Sequence, residues 1–190
     1  TSGLGKAFFC NSGAEANESA IKLARKYGNG RSTIISMVQS FHGRTLGALK
    51  ATGQTKYQNG FAPLPEGFKY TEANNIEMLD QLIDDDTCAI MLEVIQGEAG
   101  IIELSEEYLK HVEAVYQEKD ILFIIDEVQT GMGRTGYAFA HQKYDLHPDI
   151  VTMAKAIAGG VPMGAMLAKD NVDNIIRAFK RVCDDFSDVD

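Results

Sequence analysis

The sequence predicts an α/β domain, a mostly parallel sheet with helices on both faces. Short β-branched runs alternate with longer amphipathic stretches, which is the rhythm of crossover units. Each run is continuously apolar and bounded by polar residues or glycine, as in strands buried on both faces. A chain of 190 residues is also long enough to enclose a single core.

The elements follow in order. After the small-residue turn Asn11-Ser12-Gly13, residues Ala16, Ala20, Leu23, Ala24 and Tyr27 recur at helical spacing, and Gly28 supplies a stop. Residues 33–38, 88–94, 121–125 and 150–153 are the candidate buried strands. Residues 53–67, rich in glycine and proline, read as a long irregular connection, a kind of segment that is often functional. A second helix begins at about Ser105, its predicted N-cap, with Leu109, Val112 and Tyr116 apolar and Glu107 and Lys110 polar. Residues 171–190 form a predicted amphipathic helix with an acidic end, its apolar face made by Val172, Ile175, Ile176 and Phe179.

Charge narrows the function. Eighteen Lys and Arg against 27 Asp and Glu give a net charge of −9 with no basic block, which argues against nucleic acid or a membrane surface as partner. No apolar run reaches the roughly 18 residues of a membrane span. Cys10, Cys88 and Cys183 form no CxxC pair and cannot all be bridged, so a reduced, cytoplasmic setting is expected. Asp84-Asp85-Asp86 reads as a solvated loop, and no metal site is expected.

Three constellations could carry chemistry. Cys10-Asn11-Ser12-Gly13-Ala14 puts a turn without side-chain bulk before a helix, where free amides can hold an anion. The plainer alternative is a Ser12 N-cap completed by Glu15. Asp126 ends the run 121–125 at the edge where open α/β sheets bind ligands. A nucleotide triphosphatase would use such an Asp-Glu pair for metal, but needs a GxxxxGK[ST] loop that this sequence lacks. Lys155 follows the run 150–153 among small and apolar residues, where partial desolvation favours a neutral, nucleophilic amine, although for a lone lysine a stem snorkelling to the surface is the plainer alternative and only the combination of features outweighs it. Together these are the groups that pyridoxal phosphate requires: amide donors for its phosphate, an anion for its ring nitrogen and an amine for its aldehyde.

The ordered motifs make the pattern specific. Residues 8–18 (Phe-Phe-Cys-Asn-Ser-Gly-Ala-Glu-Ala-Asn-Glu), Phe41-His42-Gly43-Arg44-Thr45, Ala51-Thr52-Gly53-Gln54, Glu93 through Gly100, Asp126 through Gly136 and Pro148 through Gly164 closely resemble blocks of the class III, ornithine-type aminotransferases. The resemblance is strongest to their acetylornithine branch and covers about residues 5–168. It implies the large domain of pyridoxal-phosphate transferase fold type I, with residues 1–168 a partial cofactor-binding domain and 169–190 a helical segment that does not match the expected continuation. Such enzymes are about twice this length, so a fragment or shortened form is expected.

The resemblance also implies roles. Lys155 would form the Schiff base with the cofactor and then move the substrate proton, and Asp126 would pair with the ring nitrogen. Ser12, Gly13 and Ala14 would hold the phosphate, Phe41 would stack on the ring, and Gln129 would approach its hydroxyl. Arg44 would clamp a substrate carboxylate, with Glu93 and Glu98 arranging the substrate side. The implied reaction moves the terminal amine of an acetylornithine- or ornithine-like amino-acid donor to 2-oxoglutarate, in a homodimer for the full-length parent. A 4-aminobutyrate or other ω-amine aminotransferase, or a catalytically silent fragment, are the alternatives. Val94, Ala99 and Ala158 depart from residues frequent in the family, and none of them is a reacting group.

Overall fold

The computed structural model describes residues 3–169, so the helix expected over 171–190 and Cys183 lie outside the described residues. Strand β1 (Lys6–Cys10) runs through a short turn into helix α1 (Gly13–Tyr27). Strand β2 (Thr33–Met37) is followed by α2 (Leu46–Ala51) and the single turn α3 (Thr55–Gln58). Then come β3 (Phe68–Thr71), α4 (Ile76–Leu82) and β4 (Thr87–Leu92). A small hairpin of β5 (Ile95–Gln96) and β6 (Ile102–Glu103) precedes α5 (Glu106–Lys119). Strands β7 (Leu122–Asp126), β8 (Ile150–Met153) and β9 (Gly164–Ala168) complete the chain order.

Seven strands form one sheet in the order β1-β9-β8-β7-β4-β2-β3. The five from β8 to β3 are mutually parallel, and β9 is antiparallel to both of its neighbours. The architecture is therefore the predicted one, and side-chain alternation explains why the central strands read as unbroken apolar runs. Ala89, Met91, Leu122 and Ile124 face α1, where they pack with Ala20, Leu23 and Ala24. Ile90, Leu92, Phe123 and Ile125 face the other way, onto Leu79 of α4 and Leu109, Val112 and Tyr116 of α5.

The caps follow the sequence with one difference. Ser105 Oγ accepts from the Tyr108 amide at 3.2 Å, as expected of the α5 N-cap. Gly28 ends α1 in right-handed geometry (φ −57°), so handedness does not demand a glycine there. Close approach does, because a Cβ on Gly28 would lie 2.5 Å from the Arg31 carbonyl oxygen and 2.8 Å from Cys88 Cβ. Asp84 and Asp86 are committed locally, Asp84 to Lys69 and Thr87 and Asp86 to Ser32 and Thr33.

Besides the two-residue strands β5 and β6, three strands of the main sheet escape the sequence pattern. In β1 the side chains are largely exposed along an edge, with Phe9 at 63%. Strand β9, Gly-Ala-Met-Leu-Ala, is made mostly of residues with weak strand preference, and only its two neighbours hold it extended. Strand β3 is a short, half-buried edge inside a stretch dominated by turn residues.

Candidate active site

The sheet brings the carboxyl ends of its parallel strands to one edge. Phe41, His42 and Arg44 lie beyond β2, Glu93 beyond β4, Gln129 beyond β7 and Lys155 beyond β8, while Asp126 is the last residue of β7. Strand β1 points the same way as β8, so the turn carrying Ser12, Gly13 and Ala14 arrives at that edge as well. All ten residues named from the sequence line a single cleft of about 520 Å³, together with Asn17, His42 and the segment from Gly160 to Met163. This is the edge where open α/β sheets bind ligands.

Ser12 takes the capping role, the plainer of the two that the sequence left open. Its Oγ caps α1 by accepting from the Glu15 amide at 3.2 Å, and Glu15 in turn accepts from the Asn11 amide at 2.8 Å. The turn also lines the cleft, where the Gly13 and Ala14 amides belong to the first helical turn and have no carbonyl partner inside the helix. The cradle is tight. A Cβ on Gly164 would lie 2.3 Å from the Ser12 carbonyl oxygen, and one on Gly43, whose φ is +136°, would lie 2.7 Å from Ala14 Cβ.

Asp126 is buried and held at both oxygens. Its Oδ1 accepts from the Val128 amide at 2.9 Å, and its Oδ2 accepts from Asn17 Nδ2 at 2.7 Å and pairs with His42 Nδ1 at 2.8 Å. Burial opposes protonation of His42, but the carboxylates of Asp126 and Glu93 outweigh it and raise the imidazole pKa. Glu93 is also buried, and its carboxylate accepts from the Phe41 amide at 3.0 Å. Desolvation pushes its pKa up to about 7, with His42 pulling it down and Asp126 pushing it further up.

Lys155 sits differently from the expectation. It is exposed rather than wrapped by its small neighbours, because the following residues turn away in a 3-10 helix over Lys155–Ala158 and leave that side of the cleft open. Its backbone is left-handed (φ +52°), a strained conformation for a lysine, and its Nζ donates to Gln129 Oε1. Gly97 makes room for Gln129, since a Cβ there would lie 2.9 Å from the Gln129 side chain. Phe41 is buttressed edge-on by Tyr57 at 5.3 Å between ring centroids, and the exposed Arg44 guanidinium lies 5.7 Å from the Phe41 ring centre. Glu98 is exposed on the cleft wall. Of the departures from the family pattern, Val94 is fully buried in the core under the cleft.

The donor set suits pyridoxal phosphate. The cleft is lined by amides without helical partners for an anion, a buried carboxylate for a cationic ring nitrogen, an aromatic side chain for stacking and an exposed amine for an aldehyde. The family comparison decides the matter. The model of the class III aminotransferases matches residues 1–181, beyond the stretch whose motifs carry the resemblance. The chain belongs to the class III aminotransferases.

Members of this family depend on pyridoxal phosphate. The chain is 59% identical over 172 residues to the acetylornithine aminotransferase of Caldanaerobacter subterraneus subsp. tengcongensis, covering 88% of this chain and 44% of that protein. It is 56% identical over 176 residues to that of Methanocaldococcus jannaschii, covering 90% and 44%. Among solved structures it is similar to the ornithine aminotransferase of Toxoplasma gondii ME49 (TM-score 0.86, 32% identity, 91% of this chain and 43% of that one). It is similar too to an (S)-enantioselective omega-transaminase of Thermomicrobium roseum (TM-score 0.85, 35% identity, 90% and 44%). A further structure of the Toxoplasma gondii enzyme carries PLP at partial occupancy in its active site. The chain spans less than half the length of the curated relatives it matches.

The sequence did not single out Asn17 as a site residue, although it lies inside the first motif, and offered His42 only as part of the second. Both are polar, buried and on the cleft wall, and their partner Asp126 is 109 and 84 positions away, a separation no local pattern registers.

Proposed function

We propose that the protein carrying this chain is a pyridoxal-phosphate-dependent aminotransferase. In this reading it transfers the terminal amino group of acetylornithine, or of an ornithine-like donor, to 2-oxoglutarate, working as a homodimer. The observation that carries the chemistry is the convergence of Lys155, Asp126 and the start of α1 on one cleft. The choice of donor is supported by the acetylornithine aminotransferases at 56% and 59% identity.

When bound, the cofactor supplies an aldehyde that takes up amines and a ring that withdraws electrons from the neighbouring carbon. The chain supplies the rest. Lys155 Nζ would hold the cofactor and would move the proton at the reacting carbon. Asp126 would keep a positive ring nitrogen charged, the Ser12-Gly13-Ala14 turn would bind the phosphate, and Phe41 would stack on the ring. Gln129 accepts a hydrogen bond from the Lys155 amine and steadies it. Arg44 would offer a planar fork to a substrate carboxylate, and Glu93, its pKa raised by burial, would help to arrange the substrate side.

The test is to add pyridoxal phosphate to the chain and to Lys155→Ala, reduce with borohydride, and map the peptides. The expected result is a visible absorbance band and a reduced cofactor adduct on the Lys155 peptide, both missing in Lys155→Ala. Free aldehyde in both samples would overturn the reading. The likeness to the Thermomicrobium roseum omega-transaminase makes other terminal amines the competing donors. A panel of acetylornithine, ornithine and 4-aminobutyrate with 2-oxoglutarate separates them, acetylornithine being expected to give the highest kcat/KM.

A further inference from the structure

Asn17 is almost fully buried, and its amide uses both donors and one acceptor lone pair on residues far apart in sequence. Its Nδ2 donates to Asp126 Oδ2 and to the His42 carbonyl, both at 2.7 Å, and its Oδ1 accepts from Thr152 Oγ1 at 2.6 Å. Rotating the amide by half a turn would aim its oxygen at a carboxylate and a carbonyl, two acceptors, so this orientation is the one that satisfies all three partners. The same logic fixes His42. Its Nδ1 faces a carboxylate oxygen and must carry a proton, while its Nε2 is buried with no partner among the described residues. The His42 backbone is pinned as well, its amide donating to Thr52 Oγ1 at 2.9 Å.

All of this bonding converges on one edge of one carboxylate. Thr152 lies beside Asp126 in the β7–β8 register, so the amide, the imidazole and the carboxylate are tied to two neighbouring strands, α1 and the loop after β2. We propose that Asn17 and His42 are positioning residues that hold the Asp126 carboxylate in a set orientation for the cationic ring nitrogen of the cofactor. The inference rests on the aminotransferase reading and deepens it. Two donors on Oδ2 and one on Oδ1 stabilise the anion and prevent its rotation, and they leave the carboxylate with bonding capacity for a further donor from the cleft.

Two measurements on this chain decide it. In the cofactor-free chain, long-range nitrogen–proton NMR of the imidazoles reports where the His42 proton sits, the signal being assigned among the four histidines by its loss in His42→Gln. We expect a proton on Nδ1 that depends on Asp126 and changes in Asp126→Asn. With pyridoxal phosphate added, His42→Leu removes the donor and His42→Gln restores one. We expect His42→Leu to weaken retention of pyridoxal phosphate by about tenfold or more, the effect of losing one bond to a charged group, and to move the pH midpoint of the visible band. His42→Gln should recover most of both. A merely structural role would lower the melting temperature and leave the midpoint in place. If His42→Leu does not fold, Asn17→Ser gives the same comparison, since it removes the amide fork and keeps a polar group.

Variants that fold, bind pyridoxal phosphate as the parent does and keep its midpoint would overturn the proposal, as would an Nδ1 without a proton. Should the parent itself trap no cofactor on Lys155, the aminotransferase reading falls, and the NMR measurement alone decides whether the carboxylate is held in this way.

Discussion

The two ends of the cleft are built on different principles. Around Asp126, 2% exposed, the hydrogen bonds come from α1, from the pinned loop after β2 and from the turn after β7, and the carboxylate is fixed before any ligand arrives. Around Lys155 the backbone is left-handed, the side chain is exposed, and the following segment includes Val161 at 67% exposure. The chain thus completes the end that would hold the ring nitrogen and leaves open the end that would hold the aldehyde. Electrostatic preorganisation needs a rigid, dry setting, whereas an amine that must release one partner and take another needs room to move.

That contrast can be broken by removing the rigid half. Asp126→Ala leaves the Asn17 amide, the His42 N–H and the Val128 amide unpaired in the interior, and it should cost about 3–5 kcal/mol of folding stability, read by denaturant unfolding of the cofactor-free chain. A loss below about 1 kcal/mol would mean that water reaches this end and that the contrast is false.

A pH series sharpens it. The folded pKa of Glu93, about 7, lies above its ordinary 4.5, so this carboxyl contributes fully to stability below the lower value and the contribution is lost as pH rises through the higher one. Glu93→Gln keeps an acceptor for the Phe41 amide and cannot ionise. Its advantage over the parent should therefore grow between about pH 5 and about pH 8, to on the order of 2 kcal/mol. Thermal melts across that range give the answer, and parallel curves would show that Glu93 is solvated.

The smallest effect is expected at the open end. Lys155→Gly releases left-handed strain of about 1 kcal/mol, against an added chain entropy of about 0.5–1 kcal/mol for glycine. The net change in stability should stay within about 0.5 kcal/mol while trapping of the cofactor is abolished. A large destabilisation would place Lys155 among the structural residues.

Much of this arrangement was legible because it is locally encoded. Strands β4 and β7, packed on both faces, produce unbroken apolar runs, and the caps at Ser12 and Ser105 follow directly from side-chain chemistry. All ten candidate residues line one cleft because they sit in short motifs at or near strand ends. What escaped is held by distant partners. Nothing local marks β1 or β9 as strands, and Asn17 gains its significance only when Asp126 and Thr152 come beside it. The exposure of Lys155 was misjudged for a related reason: small neighbours in sequence need not cover a side chain when the backbone turns away from it.

The pairing of β1 with β9 has a consequence for how the molecule comes into being. Lys6 meets Ala168 and Cys10 meets Gly164, so among the described residues the sheet neighbour of β1 lies more than 150 positions further along the chain, as the 162 positions between Lys6 and Ala168 show. The Asn17 bond to Thr152 spans a comparable separation. Such a topology has a high contact order and is slow to close, because the entropy of bringing distant segments together must be met before their contacts reward it. Until β9 has been synthesised, β1 lacks the strand that it pairs with in the folded sheet, and a chaperone or another nascent chain can take that place first.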